Sequence, residues 1–351
     1  MRRIDPTRFH VARRGTSRRI NRQIALTLIS SHQPISRADL ARRMKMRRGA
    51  VGLLVQELLN DRQIVEGTTG QAARGRKPTL LYINTRQRSS VAVDIRASCT
   101  FLMLADPMGR PRSDIVSLPT VREPRRLVTR LAAATGLPVH VENSGRACAL
   151  AQVWEARTVA SPVRNLVFVS VSDGVGVGVV VNGELLRGRH NIAGGFAHMP
   201  MSIDGPRCSC GAIGCWEAHI SNLATLTRYF GRPPLASSGA DRAFTIDDLV
   251  ARARTGDGKA AAALQASARY LGLGLGGVVN IINPDCIFIG GEIVAAWELI
   301  EHTVRAALAE RALTPAAAGT DLVTVAADDH PRLRGAAMLV TAPAFAAPSV
   351  A

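Results

Sequence analysis

The stretch Cys208-Ser209-Cys210-Gly211-Ala212-Ile213-Gly214-Cys215, with His198 ten positions ahead of its first cysteine, gathers three thiols and an imidazole in a short run of chain. Three thiolates and one imidazole can close a tetrahedral zinc site, and Gly211 and Gly214 permit the tight loop that closure needs. Zinc suits the set better than an iron–sulfur cluster because the fourth ligand is a histidine. With His198, Cys208, Cys210 and Cys215 as ligands, protein fills every position and no place is left for a catalytic water. The expected cofactor is one structural zinc per chain, which organises the loop. His219 competes with His198 for the fourth position. A group of free buried cysteines is the alternative, and it accounts poorly for the spacing.

On either side of this loop the chain alternates strands and helices, with glycine clusters at the turns. Leu166–Val171 and Val175–Val181 read as a hairpin around Ser172-Asp173-Gly174, in which Asp173 is a turn residue. Tyr270 to Ile282 reads as a buried helix, and Pro284-Asp285 leads on into a strand, Cys286–Ile289, that closes on Gly290-Gly291. A glycine pair at a strand end lets backbone approach a ligand such as a nucleotide, although tight turns explain most such clusters. Upstream, Val91–Ile95 and Phe101–Ala105 read as two strands. Pro138–Val141 reads as a third, leading through Glu142-Asn143 into a helix from Ser144.

Farther toward the N-terminus the chemistry changes. The chain of 351 residues holds 44 basic and 27 acidic side chains, a formal charge of +17. Residues 1–90 hold 20 of the basic and five of the acidic ones, or +15, which leaves +2 for the remaining 261 residues. A basic head on a near-neutral body points to a polyanion-binding module joined to something else. Within the head, Ile20, Ile24, Leu28 and Ile29 recur at helical spacing. Ser36 caps a second helix with Asp39 at the capping-box position, and Val51, Leu54, Val55, Leu58 and Leu59 form the apolar stripe of a third. Ile64-Val65 and Leu80–Ile83 then flank a polar, glycine-rich hairpin tip.

That order is a winged helix-turn-helix, whose third helix enters the DNA major groove by its N-terminal residues. Those are Arg47 and Arg48, with Gly49 and Gly52 small enough to let the backbone approach. Arg37, Arg74, Arg76 and Lys77 complete the expected DNA contacts, the last three on a wing suited to a phosphate or a narrow minor groove. The competing reading is a solvated basic surface or a protein-docking module.

The composition also excludes several classes. Hydrophobic residues make up 47% of the chain, which is enough for a sizeable core. No apolar run follows Met1-Arg2-Arg3-Ile4-Asp5, and the most apolar stretches are broken by Asp173, Asn280, Asn283 and Pro284. The expectation is no secretory signal, no membrane span and a cytoplasmic location.

These pieces together resemble the ROK family, named for its repressors, open reading frames and sugar kinases. The head is similar to the family's repressor branch in Ile35-Ser36-Arg37-Ala38-Asp39-Leu40 and Arg74-Gly75-Arg76-Lys77-Pro78. Gly174, Gly176 and Gly178, with Asn182-Gly183-Glu184-Leu185, resemble its second phosphate loop. His198, Cys208, Cys210, Cys215 and Glu217 fall on its zinc signature. Asn283-Pro284-Asp285 and Gly290-Gly291 resemble its nucleotide side, and Gly335-Ala336-Ala337 its closing helix. The resemblance implies an actin-like (ribonuclease H-like), two-lobed α/β body behind the winged helix-turn-helix, assembled as a homodimer or tetramer. The implied segments are a basic arm at 1–19, the winged helix-turn-helix at 20–88 and a small lobe at 89–155 completed by a helix at 333–343. A large lobe with the zinc loop follows at 156–332, and a tail at 344–351.

Departures from the family pattern bear on activity. Family kinases place an aspartate as general base where this chain has Ser144, which cannot serve as a base unaided. The first phosphate loop reads Asp94-Ile95-Arg96-Ala97-Ser98 instead of Asp-x-Gly-Gly-Thr, and a sugar-binding glutamate is replaced by Gly195. The stretch from Asp114 to Arg130 is short for the family, so the smaller lobe is expected to be truncated. The implied protein is a transcriptional regulator, a repressor of carbohydrate-related genes, with no catalytic residues and a vestigial phosphate loop. Its partners would be operator DNA and a sugar or sugar-phosphate effector held by Asn143, His198 and Glu217, although Glu217 serves equally well as a support for the zinc loop. The alternatives are an ATP-dependent sugar kinase and a constitutive DNA-binding protein whose body only oligomerises.

Overall fold

The computed structural model describes residues 18–69, 78–96, 99–120, 124–155, 163–234 and 244–344. The chain divides into two compact units, the first made of Met1–Glu142, Leu150–Pro162 and Arg332–Ala351, the second of Asn143–Ala149 and Val163–Pro331.

The first unit begins with the head: α1 (Arg18–His32), β1 (Ile35–Ser36), α2 (Arg37–Met44), α3 (Arg48–Asn60), β2 (Ile64–Thr69) and β3 (Thr79–Ile83). Leu40, Ala41 and Met44 of α2 meet Val51, Leu54, Val55 and Leu58 of α3 in the core, as the apolar stripes require. Ser36 caps α2, its hydroxyl accepting from the Asp39 N–H at 3.1 Å. Ile35 and Ser36 also pair with Leu81 and Leu80, so the sheet gains a third strand in the order β1-β3-β2.

Behind the head, β4 (Ser90–Ile95), β5 (Cys99–Ala105) and β6 (Val116–Pro119) form an antiparallel sheet, followed by α4 (Pro124–Thr135) and α5 (Ser144–Glu155). The strand expected at Pro138–Val141 does not form. Pro138 has no N–H to give to a ladder, β6 takes the free edge of β5, and Val141 is left exposed.

The second unit is built on β7 (Leu166–Val171), β8 (Val175–Val181) and β9 (Glu184–Leu185), then α6 (Trp216–Ile220), α7 (Asn222–Phe230), α8 (Ile246–Arg254) and α9 (Gly258–Ile282). It ends with β10 (Cys286–Gly290), α10 (Trp297–Arg311), α11 (Pro315–Ala318) and β11 (Asp321–Thr324). Its sheet runs β11-β10-β7-β8-β9, parallel through β7 and antiparallel beyond it. Every residue of β7 is buried, as a central strand covered on both faces demands.

The final helix, α12 (Pro331–Ala344), returns to the first unit. There Leu333 and Met338 join Trp154, Met103 and the head's Leu28, Ile29 and Leu58 in one continuous core. Gln33 of the head lies against Met108, whose carbonyl accepts the Trp154 indole N–H at 3.1 Å.

Candidate metal centre and nucleic-acid interface

The cysteine loop is held by its own backbone. Cys208 N–H donates to Ala212 O at 2.8 Å and Gly211 N–H to Cys208 O at 3.0 Å, and isolated bridges join Arg207 to Ile213 and Pro200 to Cys215. At Gly214, φ is +70° and a Cβ would fall 1.8 Å from Ser202 O, so only glycine fits. This winding brings His198, Cys208, Cys210 and Cys215 together, with all four ligand atoms within 4.8 Å of one another. The Cys210–Cys215 sulfurs lie 3.7 Å apart, as do Cys208 Sγ and His198 Nδ1. Zinc–sulfur bonds of about 2.3 Å give a tetrahedron edge of roughly 3.8 Å, so the spacing and the donor set both fit a metal such as zinc.

Burial pushes the Cys208 thiol up, and pushes Cys215 up to about 12, whereas the Ala212 backbone N–H lowers Cys210. A cation entering the site must displace those protons, so binding releases them. His219 stands outside the cluster. Its ring is buried and stacked on Tyr270 at 4.0 Å, Nε2 meets Ser202 Oγ at 3.1 Å, and burial followed by the Arg228 charge lowers its pKa.

Glu217 joins this loop to the β7–β8 turn. One carboxylate oxygen accepts from Val175 N–H at 2.8 Å, and the other from Ser209 Oγ at 2.8 Å and Cys208 Sγ at 3.4 Å. Asn143 Oδ1 accepts from Gly145 N–H at 2.9 Å at the start of α5. The first turn of α5 lies against β8, which explains two of the glycines there. A Cβ on Gly178 would come within 2.3 Å of Gly145 O, and one on Gly176 within 3.1 Å of Gly145 N. Gly290 and Gly291 are likewise pressed against Phe168 and Val171, and Gly174 against Glu217. The opposite holds at Gly195, where a Cβ would meet nothing closer than Ile192 O at 3.7 Å. In the first unit, Arg96 Nε donates to the buried Asp94 carboxylate at 2.8 Å, and its guanidinium sits over the Phe101 ring.

In the head, ion pairs sort the basic side chains. Arg18 pairs with Glu57, Arg22 with Asp61, Arg37 with Glu66 and Arg42 with Asp39. Arg43, Lys45, Arg47 and Arg48 are exposed and have no ion-pair partner among the described residues. Arg47 takes the N-cap position of α3 without a capping bond, and Arg48 is the helix's first residue. The wing residues Arg74, Arg76 and Lys77 lie outside the described residues.

The residue pattern of the ROK family matches residues 100–342. This chain belongs to the ROK family. The xylose repressor of Bacillus subtilis (strain 168) is 24% identical over 346 residues, spanning 84% of this chain and 88% of the repressor. The glucokinase of Streptomyces coelicolor is 27% identical over 211 residues, 56% of this chain and 65% of the kinase. A crystal structure described as a ROK family transcriptional regulator, homolog of E.coli MLC protein, superposes with a TM-score of 0.74 at 24% identity. It covers 93% of this chain and 97% of its own, which shows the fold.

Within this ROK chain the four expected metal ligands converge, and the expected phosphate-loop glycines each lie against other parts of the chain. Two arrangements escaped the sequence: Arg37 is tied to Glu66, and Arg96 neutralises Asp94. The first pair lies 29 positions apart in sequence, where no local spacing could signal it. Among the described residues, no helix is long and apolar enough to cross a membrane.

Proposed function

We propose that this ROK chain is a DNA-binding transcriptional regulator, a repressor of sugar-related genes whose body does not catalyse phosphoryl transfer. The observation that carries the reading is the head, where Arg47 and Arg48 stand exposed at the N-terminus of α3. Similarity to a xylose repressor over 84% of the chain, against 56% for a glucokinase, supports it. Arg37 is better read as a brace between α2 and the wing than as a DNA contact.

The body would bind a sugar or sugar phosphate through His198 and Asn143, and in a homodimer or tetramer the effector would change the spacing of the heads on operator DNA. Zinc held by His198, Cys208, Cys210 and Cys215 would fix the loop and take no part in bond making. Ser144 in place of a general base and the Asp94–Arg96 pair argue against a kinase, as would the expected shortening of the small lobe between Asp114 and Arg130. A second reading, constitutive DNA binding with a body that only oligomerises, is favoured by Glu217, whose two oxygens are both engaged within the chain. Calorimetry with a panel of sugars separates the two, since heat of binding supports an effector and silence across the panel supports the second.

Genome-wide mapping of bound DNA at fixed salt tests the regulator reading itself. Enrichment of a few upstream regions near sugar genes is expected, and recovery indistinguishable from input DNA would remove it.

A further inference from the structure

The outward line of α3 differs from the rest of the head. Gly49, Leu53, Gln56 and Asn60 follow one another along the helix on the side opposite the buried Val51, Leu54, Val55 and Leu58. Leu53 is 67% exposed, whereas those four core residues are at most 5% exposed. A Cβ added at Gly49 or Gly52 would meet nothing within 4 Å, and neither residue has a positive φ. Nothing in the protein therefore requires glycine at either place, although Gly52, inside the helix, costs it about 1 kcal/mol relative to alanine. The result is a strip stripped of side chains on which one apolar group stands up. From Gly49 to Val55 no side chain carries a hydrogen-bonding group. The next polar pair, Gln56 and Asn60, is bonded to itself, Nε2 to Oδ1, at 3.0 Å.

Base edges in the major groove present donors and acceptors, which the side chains from Gly49 to Val55 cannot answer, and one apolar feature, the thymine C5-methyl group. We propose that Leu53 reads thymine, its side chain seated on a C5-methyl while Gly49 and Gly52 let the helix backbone close on the groove. The inference rests on the DNA-binding reading of the head and names the base that its recognition helix selects.

Duplexes selected from a random-sequence pool by the full-length, metal-replete protein supply the probe. Each thymine of the selected consensus is then replaced by deoxyuridine, which removes only the methyl group, and affinity is measured at fixed salt. One position per half-site should lose about four-fold, as expected for one buried methyl. Leu53→Ala should lose a similar factor on the unmodified duplex and become indifferent to deoxyuridine at that position. Leu53→Met should retain the sensitivity. Because residue 53 is exposed, circular dichroism and metal content should be unchanged in both variants. Deoxyuridine tolerated at every position, or a penalty that persists in Leu53→Ala, would overturn the proposal while leaving the regulator reading intact. A pool that enriches no sequence would overturn the regulator reading, and this inference with it.

Discussion

Cys208 and Cys210 are separated by one residue, and each offers one of the four sulfur and nitrogen atoms that lie within 4.8 Å of one another. Cys208→Ser or Cys210→Ser should abolish the zinc, about one ion per chain, that metal analysis of the purified protein is expected to find. Thermal unfolding of either variant should fall by several degrees, and chelation of the unmodified protein should reproduce the change. The glycines make a second, two-sided test. Gly178→Ala drives a methyl into the Gly145 carbonyl and should cost about 1–3 kcal/mol, whereas Gly195→Glu enters open space and should leave the melting temperature nearly unchanged. His219 sets an acid limit. Burial lowers its pKa in the folded chain, while the unfolded chain takes up that proton near pH 6.5, so stability should fall as pH drops through and below that value. His219→Gln should flatten that part of the stability–pH curve. The four ligands were legible because their residue types and close spacing admit little else. The exclusion of His219 was not, since it depends on the Tyr270 ring from a helix far along the chain. The glycines of the hairpin were legible as glycines, but a sequence cannot say whether the backbone they admit belongs to a phosphate's neighbour or to α5.

Among the elements, α3 carries the sharpest conflict between stability and use. Its buried stripe was readable from the i, i+3, i+4, i+7 spacing alone, because a half-buried helix leaves few other ways to arrange Val51, Leu54, Val55 and Leu58. Gly52→Ala should stabilise the folded protein by up to about 1 kcal/mol, and the same substitution should weaken DNA binding, with melting and anisotropy moving in opposite directions. An unchanged affinity would show that the bare strip has no partner. Strand pairing was less legible than helix pairing. Two residues, Ile35 and Ser36, are too few to signal a strand, yet β3 supplies the partner that makes them one. At Pro138–Val141 the apolar alternation is present and the partner is absent, because a strand is defined by its neighbour rather than by its own residues.

Over the whole molecule, charge should decide where salt acts. Each phosphate contact contributes about 0.9 to the slope of log affinity against log salt. Arg47→Gln should lower that slope by about this amount if Arg47 meets phosphate, or change sequence preference at constant slope if it meets a base. Arg305→Gln, which removes a charge paired with Glu301 in the near-neutral body, should do neither. The uneven charge of the chain was plain from counting, and so was the order head, then body. The joining of head and first sheet was not, because it is made by residues as distant as Leu28, Trp154 and Met338. That common core bears on modularity. A foreign reading head spliced onto this body at residue 88 would arrive without counterparts for Trp154, Leu333 and Met338. Such a chimera should melt early and expose apolar surface unless those three positions are recut to match the newcomer, so in this protein head and body are exchanged as a matched set.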